Sequence, residues 1–149
     1  SRYEGSDGVE RPTAFNNQYV VNALAGLELP AGKSKQNAWI FDVKLALAGG
    51  IRYTPIDLVA SQAAGAQVDD ARRAFDLQTR PYFRPDVKLG YRFNYRRWSQ
   101  EFSVTLQNVA GIDNVLTLNY NPRAGRLVER SQLGFFPVFQ YTLRFQGRE

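Results

Sequence analysis

The sequence has no cysteine, no histidine and no methionine. Without Cys or His, the usual zinc sites, thiol nucleophiles and Ser-His or Cys-His catalysis are excluded. No disulfide framework reports on the redox compartment. No run of roughly 18 apolar residues occurs, so no transmembrane helix is expected. The opening SRYEGSDGVERP has neither a charged n-region nor an apolar h-region, so no signal peptide is visible. With Ser1 first and no initiator methionine, we expect a processed chain or a fragment.

What is present is aromatic and patterned. Eight Tyr, ten Phe and two Trp lie among 149 residues, enough chain for one domain with a sizeable core. The mean hydropathy is slightly negative. Such a mean suits barrel strands that give every second residue to a polar lumen. The net charge of +5 fits nucleic acid, acidic lipid or an anionic ligand as partner, and fits equally an oppositely charged surface lying elsewhere.

The clearest pattern is the last. In FFPVFQYTLRF (135–145), Phe139, Tyr141, Leu143 and Phe145 alternate with Gln140, Thr142 and Arg144. Period two sends successive side chains to opposite faces of a strand, whereas a helix would bring its apolar residues round every three or four positions. The same alternation predicts strands over 18–29, 38–50, 83–96 and 100–109. In the second of these, Trp39, Phe41, Val43, Leu45 and Leu47 share a face, and Gly49-Gly50 breaks the strand. Residues 4–17, 51–82 and 110–134 read as long connections. The middle one holds a short helix expected near Asp69, and 114–132 reads as a hairpin turning at 121–125 and polar on both sides. Short turns at 30–37 and 96–99 alternate with these long loops. That is the habit of up-and-down transmembrane barrels, whose tilted strands need about 9–11 residues. Aromatics expected at strand ends (Tyr19, Trp39, Tyr95, Trp98, Phe139, Phe145) would form girdles.

Several segments also carry a family likeness: GSDGVERPTAFN, AGGIRYTPIDL, YFRPDVKLGYRFN, LQNVAG, YNPRAGR and QLGFFPVFQYTLRF. The chain resembles the C-terminal part of a TonB-dependent outer-membrane receptor of the kind abundant in Bacteroidota. The resemblance implies an all-β chain supplying the C-terminal antiparallel strands of a transmembrane up-and-down barrel of about 22 strands, incomplete in itself. It implies a bacterial outer-membrane location and active nutrient uptake; no cofactor is expected, and the empty catalytic inventory leaves no enzymatic activity expected. Its partners would be lipid, the rest of the barrel, a plug domain and TonB acting through that plug, and it leaves open whether a surface lipoprotein caps the barrel. The terminal strand with Phe139, Tyr141, Leu143 and Phe145 resembles the signal read by the barrel-assembly machinery, here followed by four further residues.

On the polar faces, Asp42, Lys44, Asp86, Lys88, Arg92, Arg96, Glu101 and Arg144 would line the lumen. They either contact ligand and plug or, more plainly, pair across strands, with Arg92 or Arg96 beside Glu101. Asp86 and Glu101 could be imagined as a glycosidase pair but are more simply salt-bridged. A phospholipase-like barrel would want a His base. In loop 51–82, Arg52, Tyr53, Arg72, Arg73 and Phe75 are candidates for ligand contact or gating, against a plain solvated cover. Asp69-Asp70 lacks the spacing of a calcium loop. The run Tyr91 to Trp98 interleaves aromatics with cations, but period two sends them to opposite faces, so no nucleic-acid partner is expected. The alternative to a membrane barrel is a soluble antiparallel sandwich acting as a binding or adhesion module. The two differ in whether Trp39, Phe41, Val43, Leu45 and Leu47 meet lipid or a second protein sheet.

Overall fold

The computed structural model describes residues 1–5 and 8–145. The described chain is all-β and antiparallel. In order it runs β1 (Arg2–Glu4), β2 (Glu10–Pro12), β3 (Val20–Ala31), β4 (Asn37–Ala48), β5 (Arg52–Tyr53), α1 (Leu58–Ala64), a single 3-10 turn (Ala71–Arg73), β6 (Leu77–Gln78), β7 (Tyr82–Asn94), β8 (Trp98–Gln107), β9 (Val115–Asn121), β10 (Arg126–Ser131) and β11 (Phe136–Phe145). These elements fall into two compact units. The first comprises Ser1–Val20, Leu47–Phe83 and Asp113–Leu133, and the second Val21–Ala46, Arg84–Ile112 and Gly134–Glu149.

The second unit is a five-stranded sheet in the order β11-β8-β7-β4-β3. Alternation sets its register. Leu89 faces Val104 and Tyr91 faces Phe102 across β7 and β8, while Phe139 and Tyr141 of β11 lie opposite the same Val104 and Phe102. The intervening positions pair Lys88 with Thr105 and Arg92 with Glu101. One face is therefore apolar and the other charged, because a one-residue slip would exchange them wholesale. Rings run across the apolar face from strand to strand. Trp39 meets Tyr91 edge-on at 4.7 Å, Phe93 meets Phe102 at 6.4 Å, and Phe102 meets Tyr141 at 4.8 Å. Each such contact is worth about 0.5–1.5 kcal/mol beyond simple burial.

That apolar face is uncovered. Trp39 is 50 % exposed and Phe139 81 %, while Glu101 on the charged face is only 4 % exposed. Among the described residues, Ala38, Ile40, Val115 and Tyr120 are the buried apolar side chains, too few to make an ordinary interior. The sheet is also open: β3 and β11 each have a single neighbour, and they do not pair with one another. No closed barrel is formed by the described strands.

The observed bounds shift some expectations. β7 ends at Asn94 and β8 begins at Trp98, so Arg96 lies in a tight turn closed by the Tyr95 N–H donating to Trp98 O at 2.9 Å. Arg96 is thus not on the charged face, because the chain has already reversed. Phe139 lies within β11 opposite Val104 rather than at a strand end. Pro30 sits inside β3, which an edge strand tolerates because no ladder hydrogen bond is lost on its open side.

The first unit holds three small sheets, β1-β2, β5-β6 and β9-β10. Residues 4–17, expected as loop, include β2, which pairs with β1. The long connection 51–82 is not structureless. It carries the β5-β6 hairpin and α1, whose N-cap Asp57 accepts from the Ala60 N–H at 3.0 Å and whose C-cap Gly65 is left-handed. Near Asp69 the expected helix is only the 3-10 turn, capped by Asp70, which accepts from the Arg72 N–H at 3.1 Å. Gly49 and Gly50 end β4 because backbone crowds them: a Cβ would lie 1.7 Å from Asn17 O at Gly49 and 1.9 Å from Thr79 O at Gly50. The hairpin of β9 and β10 turns where expected, with Asn121 Oδ1 accepting from the Arg123 and Ala124 N–H groups. It is not polar on both sides, since β9 buries Val115 and Tyr120.

Candidate functional site

The charged face of the sheet is organised by Glu101. Its carboxylate accepts from Lys88 Nζ at 2.9 Å, from Arg92 Nε at 3.1 Å and from Arg144 at 3.5 Å. Arg92 also grips Glu28 with both terminal nitrogens, at 3.1 and 2.9 Å, and Lys88 lies 3.8 Å from Asp42. Glu28 on β3, Asp42 on β4, Lys88 and Arg92 on β7, Glu101 on β8 and Arg144 on β11 thus link all five strands. Three acids match three cations. A buried carboxylate is tolerable only when paired and hydrogen-bonded in this way. Gly26 makes room for the network, because a Cβ there would come within 2.7 Å of Asp42 Oδ1.

Asp86, also on this face and buried, accepts from the Asn108 N–H at 2.9 Å and has Arg84 Nε 3.2 Å away. Asn108 is 1 % exposed and holds a left-handed backbone, and its side chain bonds Ile112 in both directions. Asp86 and Glu101 are thus engaged with separate partners rather than presented as an acid and base pair. The Lys44 side chain has no hydrogen-bond or ion-pair partner among the described residues.

In the first unit, the candidates of loop 51–82 divide. Arg52 is a clamp: its guanidinium donates to the carbonyls of Asn16, Phe75 and Asp76 at 3.2, 3.3 and 3.4 Å. Tyr53 pairs with Leu77 in the β5-β6 hairpin. Phe75 has a positive φ of 57° and donates its N–H to Thr54 Oγ1 at 3.2 Å. These three hold the loop's shape. Arg72 and Arg73 instead line a cleft of about 260 Å³ with Val9, Glu10, Arg11, Pro12, Ala74 and Asp76. Arg73 pairs with Asp76 at 3.2 Å, and Arg11 donates through Nε and a terminal nitrogen to the Arg72 carbonyl at 3.3 Å. Sequence reading missed Arg11, which lies about sixty residues from Arg72 with no pattern to connect them. The cleft's mixed charge, three arginines and two acids, suits a polar ligand of no particular sign.

On the apolar face, Phe139 and Tyr141 of the terminal strand join Trp39, Leu89, Tyr91, Phe102 and Val104 around a shallow depression of about 550 Å³. Leu143 and Phe145 continue the same face toward Gln100 and Trp98. No helix among the described residues is long and apolar enough to cross a membrane, which does not bear on crossing by strands. No family model matches the chain, and neither a curated protein nor a solved structure matches it.

Proposed function

We propose that the chain is part of the wall of an outer-membrane β-barrel, and that the barrel is a TonB-dependent receptor that takes up a nutrient by active transport. The observation that carries the membrane reading is the inversion of the sheet: rings exposed on one face, a matched ion network sheltered on the other. In water that arrangement leaves most of the sheet's apolar surface unburied; in a bilayer it places rings in lipid and charges on a lumen. A soluble sandwich would need a second sheet over the ring ladder, and none of the described residues supplies one.

The open edges support the same reading. Unpaired strand edges in hydrocarbon cost several kcal/mol for each backbone group, so β3 and β11 would pair with further polypeptide to close a barrel of about 22 strands. The receptor identity rests on the segment likeness given above. The plug domain and TonB are the partners it entails, with lipid around the wall and no catalysis, and it leaves open a surface lipoprotein. The experiment is fractionation of the native membrane followed by capture on the periplasmic domain of TonB. Recovery of the intact polypeptide from detergent-solubilised outer membrane and its retention on TonB are expected. Recovery as a water-soluble protein without detergent would contradict the reading.

A further inference from the structure

At the short-turn end, the described residues of the two turns carry four cations and no acid. The turn over residues 32–36 carries Lys33 and Lys35, and the turn between β7 and β8 carries Arg96 and Arg97. Asn94 fastens the two turns together, its side-chain amide donating to Gln36 O at 2.6 Å and its N–H donating to Asn37 Oδ1 at 3.1 Å. All four cations are exposed, and none of their side chains has a hydrogen-bond or ion-pair partner among the described residues. On the charged face, by contrast, Lys88 and Arg144 both pair with Glu101 and Arg92 pairs with Glu28, while the Lys44 side chain stays unpaired among the described residues. Like charges gathered on two tied turns repel one another, and a multivalent anionic surface relieves that repulsion.

The same end carries rings. Tyr95 stacks on Trp98 at 4.1 Å and 16°, and Trp98 lies opposite Phe145 on the apolar face. Cations therefore cap the rim of an uncovered apolar surface with an aromatic pair at the junction. A lipid fits all three features at once, with acyl chains on the rings, the interface at Tyr95 and Trp98, and phosphate at the cations. A nucleic acid or an acidic protein would use the cations and leave the apolar face bare.

We propose that Lys33, Lys35, Arg96 and Arg97 form a docking rim for the phosphates of anionic phospholipids. This rests on the barrel reading and adds to it which end of the strands lies at an anionic phospholipid leaflet. Lysine and arginine both donate to phosphate oxygens, and each cation near an anionic membrane contributes about fivefold in affinity.

The test uses the intact protein, extracted from its native membrane with the polypeptide that pairs its edges, and offered vesicles of phosphatidylglycerol or of phosphatidylcholine. The expected result is insertion into both, with a preference for phosphatidylglycerol of at least about tenfold that weakens with added salt. Combining Lys33→Gln, Lys35→Gln, Arg96→Gln and Arg97→Gln should bring the preference close to parity. Neutralising Arg80, Arg123, Arg126 and Arg130, in the loops 51–82 and 110–134, should leave it standing. Equal insertion of the unmodified protein into both lipids overturns the rim while the barrel stands, as does a preference that survives the fourfold variant or falls equally with the loop arginines. Failure to enter either vesicle overturns both proposals.

Discussion

Asp86 Oδ1 accepts a hydrogen bond from the backbone N–H of Asn108 at 2.9 Å, with both residues buried. This one contact joins two segments that are distinct in the sequence, YFRPDVKLGYRFN and LQNVAG, and fixes where β8 ends against β7. Asn108 holds φ at 51°, a conformation Asn tolerates better than most residues, and spends its amide on Ile112.

Asn108→Ala should therefore lose side-chain bonds and strain the backbone together, lowering unfolding stability by about 3 kcal/mol. Asn108→Gly keeps the backbone conformation free and should cost less. Urea unfolding followed by tryptophan fluorescence gives the order; equal costs would assign no role to the positive φ.

Glu101 is the member of the ion network whose loss should matter most. Glu101→Ala leaves Lys88, Arg92 and Arg144 without their shared carboxylate and should cost about 3–5 kcal/mol. Arg144→Ala removes a half-exposed partner at 3.5 Å and should cost under about 1 kcal/mol. Comparable losses for the two variants would show that the network is not centred on Glu101.

Gly49 and Gly50 should resist any side chain. A Cβ would lie 1.7 Å from Asn17 O at Gly49 and 1.9 Å from Thr79 O at Gly50, and backbone cannot step aside as a flexible side chain can. Gly49→Ala or Gly50→Ala should cost several kcal/mol, on the scale of severe overpacking. Gly134→Ala, with nothing within 4 Å of the added carbon, should stay within about 0.5 kcal/mol. Thermal unfolding of the three variants side by side makes the comparison.

The sheet strands were legible because each runs ten residues or more with period two, long enough for the alternation of residues such as Phe139, Tyr141, Leu143 and Phe145 to stand out. A partner for Glu101 was legible for the same reason, as Arg92 or Arg96, and the tight turn that carries Arg96 off the charged face leaves Arg92. The β1-β2 and β5-β6 hairpins were not, being two or three residues a side. Helix α1 carried a usable signal, Asp57 before it and Gly65 after it, but seven residues give too little periodicity to weigh against an Ala- and Gln-rich loop. Arg52 looked like a ligand residue because its partners are backbone carbonyls, which no side-chain pattern announces.

The central claim is that the rings of the sheet face lipid and its charges face water. Because this chain contains no cysteine, single Cys residues along β4 report without background once any cysteines of the polypeptide that completes the barrel are replaced. Fluorophores attached in turn at positions 41 to 46 in the membrane-embedded protein would be challenged with a bilayer-dissolved quencher and with an aqueous one. The account predicts period two, with positions 41, 43 and 45 quenched from the bilayer and 42, 44 and 46 from water. Uniform access of the aqueous quencher to all six positions would contradict it.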